Sequence, residues 1–250
     1  MNYRITVFGC KKYEDVAHVF VKEMVYWNKN LLSNCIFFTD SYIENLNINQ
    51  IVFNEDVSWS MRVAKSLKEI DDDYIMFLLD DYIIQEKLYM HHVELIVNNA
   101  KNFGIKYCRL IDTPSDSSFG NMRPIKVNNY GINLQPAIWD RKFFISLLEN
   151  IDSNPWITEI SLHNFFEIKS NVYKNAFGYK FIDYYLNAVL KGKWSRKVPN
   201  KLIGNSERLK MSKFEWLYYR TIVLMSNSLN THFKSFLKNI LKKIGFNFYS

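Results

Sequence analysis

Apolar residues along this chain gather in short continuous runs, and between the runs they recur at helical spacing. Arg4-Ile5-Thr6-Val7-Phe8-Gly9-Cys10 reads as a first strand, stopped by the turn residue Gly9. Val16, Val19, Phe20 and Met24 then follow a helical period. Cys35-Ile36-Phe37-Phe38-Thr39-Asp40 reads as a second strand and Ile51-Val52-Phe53 as a short third. Met61, Ala64 and Leu67 mark a helix that Ser58 or Ser60 can cap. Tyr74-Ile75-Met76-Phe77-Leu78-Leu79 is six apolar residues in a row, the pattern of a strand buried on both faces. Further on, Leu88 to Ala100 reads as a helix, Tyr107-Cys108-Arg109-Leu110-Ile111 as a strand, and Ile132 to Trp139 as a strand leading into a helix near Arg141 to Leu148. Phe177 to Leu190 reads as a short strand and a helix ended by Gly192. The βαβαβ alternation predicts an α/β fold with a mostly parallel central sheet flanked by helices.

The candidate chemistry stands where the longest run ends, at Asp80-Asp81. Open α/β sheets bind ligands just past the carboxyl ends of their strands. Two adjacent carboxylates there repel each other and lose solvation unless a positive group joins them. A divalent cation carrying a diphosphate answers both problems, because hard cations take carboxylate and phosphate oxygens together. The bland alternative is a strand end with two solvated acids. Asp71-Asp72-Asp73 is formally a D-x-D, but it falls at the opposite end of the same strand and reads as a solvated loop. His91 and His92 are adjacent on a helix and point in different directions, so they read as surface residues rather than ligands.

Asp152-Ser153-Asn154-Pro155-Trp156-Ile157-Thr158-Glu159 carries cap candidates, a first-turn proline and an acid, a strong helix start. Glu159 there either complements the helix dipole or faces a pocket as a general base. Thr113 to Asn129 is rich in Pro, Ser, Gly and Asn and reads as a long loop of the kind that often serves as a lid.

Charge divides the 250 residues unevenly. Residues 191–250 hold thirteen Lys/Arg against two Glu, a net of +11, which leaves −4 on residues 1–190 of the total +7. The basicity therefore belongs to a C-terminal appendage. Phe214 to Met225 is dense in aromatic and aliphatic residues and reads as a helix. Beyond it Phe233, Phe236, Leu237, Ile240, Leu241 and Ile244 share one helical face, with Lys234, Lys238 and Lys242 along one side. That is a basic amphipathic helix suited to an anionic membrane surface, or to docking on the rest of the chain with its lysines exposed. No apolar stretch approaches the roughly 20 residues of a membrane span. Met1-Asn2-Tyr3-Arg4 runs directly into a strand, without a signal-peptide pattern. Cys10, Cys35 and Cys108 form no CxxC and argue against a disulfide framework or a zinc site. A cytoplasmic protein is expected.

The motifs, taken in order, resemble a known family. They are Cys10-x-Lys12-Tyr13-x-Asp15, Trp59-x-x-Arg62, Phe77-Leu78-Leu79-Asp80-Asp81-Tyr82, Leu134-Gln135-Pro136-Ala137-Ile138-Trp139, Asn154-Pro155-Trp156-x-x-Glu159 and Asn187-Ala188-Val189-Leu190-Lys191-Gly192-Lys193-Trp194. Together they are similar to the bacterial GT-A-fold glycosyltransferases of surface polysaccharide (O-antigen and capsule) biosynthesis, over about residues 3 to 200. The resemblance implies a GT-A-like, Rossmann-like catalytic domain over residues 1–200, and the charge pattern leaves a helical basic extension over 201–250. It implies a nucleotide-sugar donor, a UDP-sugar, and Mn2+ or Mg2+. Asp81 would hold the metal, and Asp80 would contact the ribose or support the metal. Cys10, Lys12, Tyr13 and Arg62 would lie near the nucleotide. Glu159 would deprotonate the acceptor hydroxyl with inversion, and Gln135 and Trp139 would border the acceptor or sugar pocket. Trp139, Trp156 and Trp194 read first as core residues; stacking on a sugar is open to one of them, Trp139 ahead of the other two. Asp80-Asp81 departs from the usual D-x-D in having no spacer, so both acids reach one ion only if the strand has already turned. A lipid-linked or polysaccharide acceptor, at the inner face of the cell membrane, completes the expectation.

Three other readings compete. A sugar-phosphate nucleotidyltransferase would want a Gly-rich basic loop after the first strand, where Gly9-Cys10-Lys11-Lys12 has a single glycine. Nucleic-acid binding would need a basic patch on phosphates, but here the positive charge interleaves with bulky aliphatics. A non-catalytic membrane adaptor would leave the carboxylates without a task.

Overall fold

In the computed structural model, residues 3–111, 123–124, 132–168, 176–178, 181–204 and 206–228 are described. The chain forms two compact units, Met1–Ala188 and Val189–Ser250.

The first unit is built on an eight-stranded sheet. Its strands are β1 (Tyr3–Phe8), β2 (Cys35–Thr39), β3 (Asn49–Val52), β4 (Tyr74–Leu79), β5 (Tyr107–Arg109), β6 (Arg123–Pro124), β7 (Ala137–Asp140) and β8 (Ala176–Gly178). They lie in the order β3-β2-β1-β4-β7-β5-β8-β6. β3, β2, β1 and β4 pair in parallel. β7 is inserted antiparallel between β4 and β5, and β6 is antiparallel to β8, while β5 and β8 are parallel. The expectation of a mostly parallel α/β sheet therefore holds.

The continuous apolar runs follow from burial on both faces. In β4, Tyr74, Met76 and Leu78 face one core and Ile75 and Phe77 face the other. The first core is closed by Phe20 and Met24 of α1 (Glu14–Asn28) and by Val93, Ile96 and Val97 of α3 (Met90–Asn102). The second is closed by Val63 and Leu67 of α2 (Trp59–Lys68), Phe144 and Leu148 of α4 (Arg141–Glu149), and Leu162 of α5 (Pro155–Ile168). Phe77 sits between Phe8, 5.3 Å away, and Phe144, 5.4 Å away. Fully burying a side chain of that size stabilises by about 2–3 kcal/mol. Ser58 caps α2 by accepting from the Met61 N–H, Asp140 caps α4 from the Phe143 N–H, and Asn154 caps α5 from the Ile157 N–H.

Two expected elements differ. The run Ile132 to Trp139 is a strand only from Ala137. Upstream, the Gln135 N–H goes to its neighbour's Asn133 side chain and the Leu134 N–H to Glu159, so no strand ladder claims them. The helix expected before Gly192 does not form. The Phe181 and Ile182 N–H groups both donate to the Leu110 carbonyl, and Tyr185 donates to Ile83, which holds this stretch extended. Asp71 to Asp73 lies at the N-terminal end of β4, with Asp72 paired to Arg4 at 3.0 Å and Asp73 to Lys101 at 3.4 Å.

The second unit opens with a hairpin, β9 (Val189–Leu190) and β10 (Lys193–Trp194). Lys191 and Gly192 turn it with φ of 49° and 73°, the positive values a two-residue hairpin needs. Trp194 is buried and donates its indole N–H to Ser206 Oγ at 2.8 Å. After the short α6 (Asn200–Ile203) comes α7 (Lys213–Ser228), opened by a reciprocal Ser212–Glu215 cap. Lys193 pairs with Glu215 at 2.6 Å, and the lysine and the capping bonds hold that carboxyl down at about 2. The helix expected over Phe233 to Ile244, and all of the loop Thr113 to Asn129 except β6, lie outside the described residues.

Candidate functional site

Phe8 is in register with both Phe38 and Leu79, so β1, β2 and β4 end at one edge of the sheet. Gly9, Asp40 and Asp80 follow those ends directly. The Gly9 N–H continues the ladder to Phe38 O at 3.0 Å and the Asp80 N–H to Phe8 O at 3.1 Å. A Cβ on Gly9 would stand 2.5 Å from Asp80 Oδ2 and 2.6 Å from Phe37 Cζ. Only glycine lets the Asp80 carboxylate lie over the end of β1.

The chain turns as soon as β4 ends, with the Tyr82 N–H donating to Leu79 O at 3.0 Å. The two adjacent acids are therefore off the strand, and they meet different neighbours. Asp80 is buried beside the first-strand loop, where its charge and that of Asp40 add to burial in raising the Cys10 thiol pKa. Asp81 stands with Tyr82 and Tyr184, whose hydroxyl pKa values are raised by burial first and then by the Asp81 charge. Asp81 Oδ1 is sealed from solvent and has no hydrogen-bond partner among the described residues. Burial pushes the Asp81 carboxyl up to about 6.

Asp40 organises the other side. Its Oδ1 accepts the Lys11 N–H at 2.7 Å, and its Oδ2 is 3.9 Å from Arg62 Nη1. Lys12 and Tyr13 lie in the 3-10 turn Lys11–Tyr13, which the Tyr13 N–H closes onto Cys10 O at 2.9 Å. Cys10, Lys12, Tyr13, Arg62 and Asp80 thus belong to the neighbouring ends of β1, β2 and β4 and to the segments that follow or pack beside them.

Glu159 is in the second turn of α5, half-buried, with Oε1 accepting the Leu134 N–H at 3.3 Å. Burial raises its pKa, and the Leu134 bond pulls it back in part. Three tyrosines fix the segment that holds it. Tyr82 OH donates to Leu134 O at 2.8 Å, Tyr107 OH to Asn133 Oδ1 at 3.3 Å, and Tyr184 OH to Gln135 Oε1. The Tyr82 and Tyr184 rings are 5.1 Å apart, and both hydroxyls feel the charges of Asp81 and Glu159. Two half-buried carboxylates of raised pKa so share one pair of tyrosines, the sort of arrangement that marks acid–base chemistry.

Trp139 is a correction. It is 0% exposed, stacked on Phe144 at 4.2 Å and beside Tyr107 at 4.4 Å. A ring enclosed on β7 has no face left for a sugar. Trp156, ranked behind it on sequence, is 68% exposed. Sequence reasoning also passed over Asp40 and Tyr184. Asp40 carries the same signal as Asp80, an acid directly after a buried run. Tyr184 carried none, because its stretch read as helix.

A divalent ion fits this edge only in company. Among the described residues no group of three His, Cys, Asp or Glu side chains is placed to hold one. One or two carboxylates suit a cation that keeps its waters and brings phosphate oxygens with it, rather than an all-protein cage. The partnerless Asp81 Oδ1 and the glycine-cleared space for Asp80 supply those carboxylates.

No protein-family model matches the chain. No curated protein matches it significantly. Among solved structures, it is similar to a cytidylyltransferase from Leptospira borgpetersenii serovar Hardjo-bovis, with 13% identity, TM-score 0.45 and 100% of both chains covered. It is similar to S. aureus TarS, with 8% identity, TM-score 0.47, and 75% of this chain and 37% of that one covered. It is similar to glucosyl-3-phosphoglycerate synthase from Mycobacterium tuberculosis in complex with phosphoglyceric acid, with 11% identity, TM-score 0.44, and 74% and 72% covered. Identities and TM-scores this low carry no argument for the chemistry of this chain.

Proposed function

We propose that the chain is a glycosyltransferase that moves a sugar from a nucleoside-diphosphate sugar, a UDP-sugar, to a hydroxyl of a saccharide acceptor with inversion. The observation that carries this reading is the partnerless buried oxygen of Asp81, whose charge acts with that of Glu159 on the same two tyrosine hydroxyls. The two acids then divide the work. Asp81, with Asp80, would hold Mn2+ or Mg2+, whose charge offsets the negative charge gathering on the departing diphosphate. Asp80, Cys10, Lys12, Tyr13 and Arg62 border the nucleotide. Glu159 takes the proton as the acceptor oxygen bonds to the anomeric carbon, and the bond from that carbon to the diphosphate breaks with its electron pair leaving on phosphate. Gln135, fixed by Tyr184, borders the sugar. Holding donor and acceptor together in a dry site supplies much of the rate.

The test is binding and turnover of a nucleotide-sugar panel with Mn2+ and with EDTA. Metal-dependent binding and cleavage of one nucleotide sugar is the expected result. Pyrophosphate release from a nucleoside triphosphate and a sugar phosphate, with no nucleotide sugar cleaved, would replace this reading by a nucleotidyltransferase. Binding of no nucleotide in either condition would remove both.

The basic extension is proposed to hold the protein against the inner face of the cell membrane, where a lipid-linked acceptor would lie. Phe214 and Leu217 are exposed one turn apart on α7, flanked by Lys213 and Arg220. No helix among the described residues is long and apolar enough to cross a membrane. Each lysine or arginine near an anionic surface contributes about 1 kcal/mol. The full chain is expected to sediment with phosphatidylglycerol-containing vesicles, to release as salt rises, and to ignore phosphatidylcholine vesicles. Equal binding to both vesicle types, or to neither, would end this part of the proposal.

A further inference from the structure

We propose that Tyr82 is the positioning residue for the general base: its hydroxyl sets the backbone of Leu134, and Leu134 in turn sets the carboxylate of Glu159. The inference rests on the transferase reading and adds to it what fixes the base relative to the turn that carries Asp81. A buried tyrosine hydroxyl needs a partner, because an unpaired one loses its solvation without return. Tyr82 is buried and gives its bond to one backbone carbonyl, Leu134 O, at 2.8 Å. The N–H of that same residue donates to Glu159 Oε1 at 3.3 Å. The side chain of Leu134 is buried in the second core. Leu134 is thus held by its carbonyl and its side chain, and its N–H holds the base.

The neighbours of Leu134 stiffen the hold. The Gln135 N–H donates to Asn133 Oδ1 at 3.0 Å, which closes a turn around Leu134, and Tyr107 OH donates to the same oxygen at 3.3 Å. Tyr82 is itself fixed at both ends. Its N–H closes a turn onto Leu79 O at 3.0 Å, and the residues after it pair with those around Tyr184: Ile84 bridges to Tyr184, and the Tyr185 N–H donates to Ile83 O at 3.0 Å. Asp81 directly precedes Tyr82, so one turn carries both the acid assigned to the metal and the hydroxyl that sets the base. Such precision matters, because a base must lie within hydrogen-bond reach of the proton it removes, and a misplacement of about 1 Å can cost roughly 10²-fold in rate. The ring of Tyr82 is not the device. It packs beside Tyr184 at 5.1 Å, a contact phenylalanine would keep. What only tyrosine supplies is the bond to Leu134 O.

The test is a cycle of Tyr82→Phe and Glu159→Gln in the full chain, with kcat expressed per nucleotide-binding site so that unfolded protein does not count. Tyr82→Phe should lower kcat by roughly 10- to 100-fold, with KM for donor and acceptor within about threefold of wild type. In the Glu159→Gln background the same change should cost less than about threefold, because a hydroxyl that acts through the base then has nothing to position. Equal losses in the two backgrounds would make Tyr82 a merely structural residue and overturn the proposal. A single variant within about threefold of the wild-type kcat overturns it too. A second arm needs no turnover. In protein labelled with ¹⁵N-leucine, hydrogen exchange of the Leu134 amide is followed against that of Leu78 in β4. The wild-type Leu134 amide should exchange at least about 100-fold slower than in an unfolded chain, and Tyr82→Phe should speed it about tenfold or more while Leu78 keeps its rate. An unprotected Leu134 amide in the wild type overturns the proposal without any variant, and so does a variant that speeds both amides alike or neither. Failure of the transferase reading is registered separately, by the absence of nucleotide-sugar binding, while the exchange arm still decides whether Tyr82 sets Leu134.

Discussion

Replacing Asp81 with asparagine is expected to abolish sugar transfer and, at the same time, to stabilise the ligand-free protein at pH 7. The two effects have one cause. Burial raises the Asp81 carboxyl from 3.8 to about 6 in the folded chain. Between those two values the folded state holds more protons than the unfolded state, so stability falls as pH rises through that window. The penalty is absent below the lower value and complete above the upper one. Two pKa units would correspond to about 3 kcal/mol at most. Asparagine removes the charge but keeps a polar group, so a gain of about 1–2 kcal/mol is the expected part. For a chain of this size that is a rise in Tm of about 2–8 °C. Calorimetry in EDTA at pH 7 and at pH 3 checks it: the variant should be the more stable at pH 7 and the difference should nearly vanish at pH 3. Transfer should fall by roughly 10³-fold or more, since a lost metal ligand removes several kcal/mol of charge stabilisation. A variant that is less stable at pH 7, or that transfers within tenfold of wild type, would show that Asp81 is an ordinary solvated acid.

Much of the sheet was legible because burial on both faces leaves an unmistakable mark. Tyr74 to Leu79 could be read without knowing its partners, since no polar residue interrupts it. What the runs could not show is direction. β7 is four residues of the same apolar character as its neighbours, and nothing in Ala137-Ile138-Trp139-Asp140 says that it lies antiparallel between β4 and β5. Nor do local patterns find segments whose hydrogen bonds are long-range. Phe181 to Tyr185 falls in the stretch read as a short strand and a helix, but its backbone is claimed by Leu110 and Ile83 from far along the chain.

The site divides along the same line. The acids that end buried strands, Asp80 and Asp81, stand out in the sequence, and Asp40 obeys the same rule. The groups that tie the acids to one another do not. Tyr82, Tyr107 and Tyr184 come from three distant segments and converge on Asn133 to Gln135 through their hydroxyls alone. Trp139 and Trp156 have the same side chain, one at the end of a strand-like run and one at a helix start. The packing of β7 against α4 puts one in the core, while the other, on the first turn of α5, is 68% exposed.

Glu159→Gln is expected to lower kcat by roughly 10²- to 10⁴-fold while nucleotide-sugar binding stays near wild type. The amide oxygen of glutamine can keep the bond that Glu159 Oε1 accepts from the Leu134 N–H, so the loop from Asn133 to Gln135 should hold its place. What is lost is the site that receives the proton. Glu159→Asp makes a different demand, because the shorter side chain keeps the charge but draws away from Leu134. It should retain more rate than the glutamine variant and bind acceptor less well. The pH dependence separates a base from a merely structural acid. Burial raises the Glu159 pKa above its ordinary 4.5, so the ionised form appears only at correspondingly higher pH. The wild-type kcat should therefore rise with pH along a limb displaced upward from the usual carboxylate range, then level off. In Glu159→Gln that limb should vanish, leaving a low rate that no longer depends on pH in the acid range. If the limb survives in the glutamine variant, another group is taking the proton. With Asp81 assigned to the donor side, Tyr82 and Tyr184, whose hydroxyls feel both carboxylates, would be the first place to look for it.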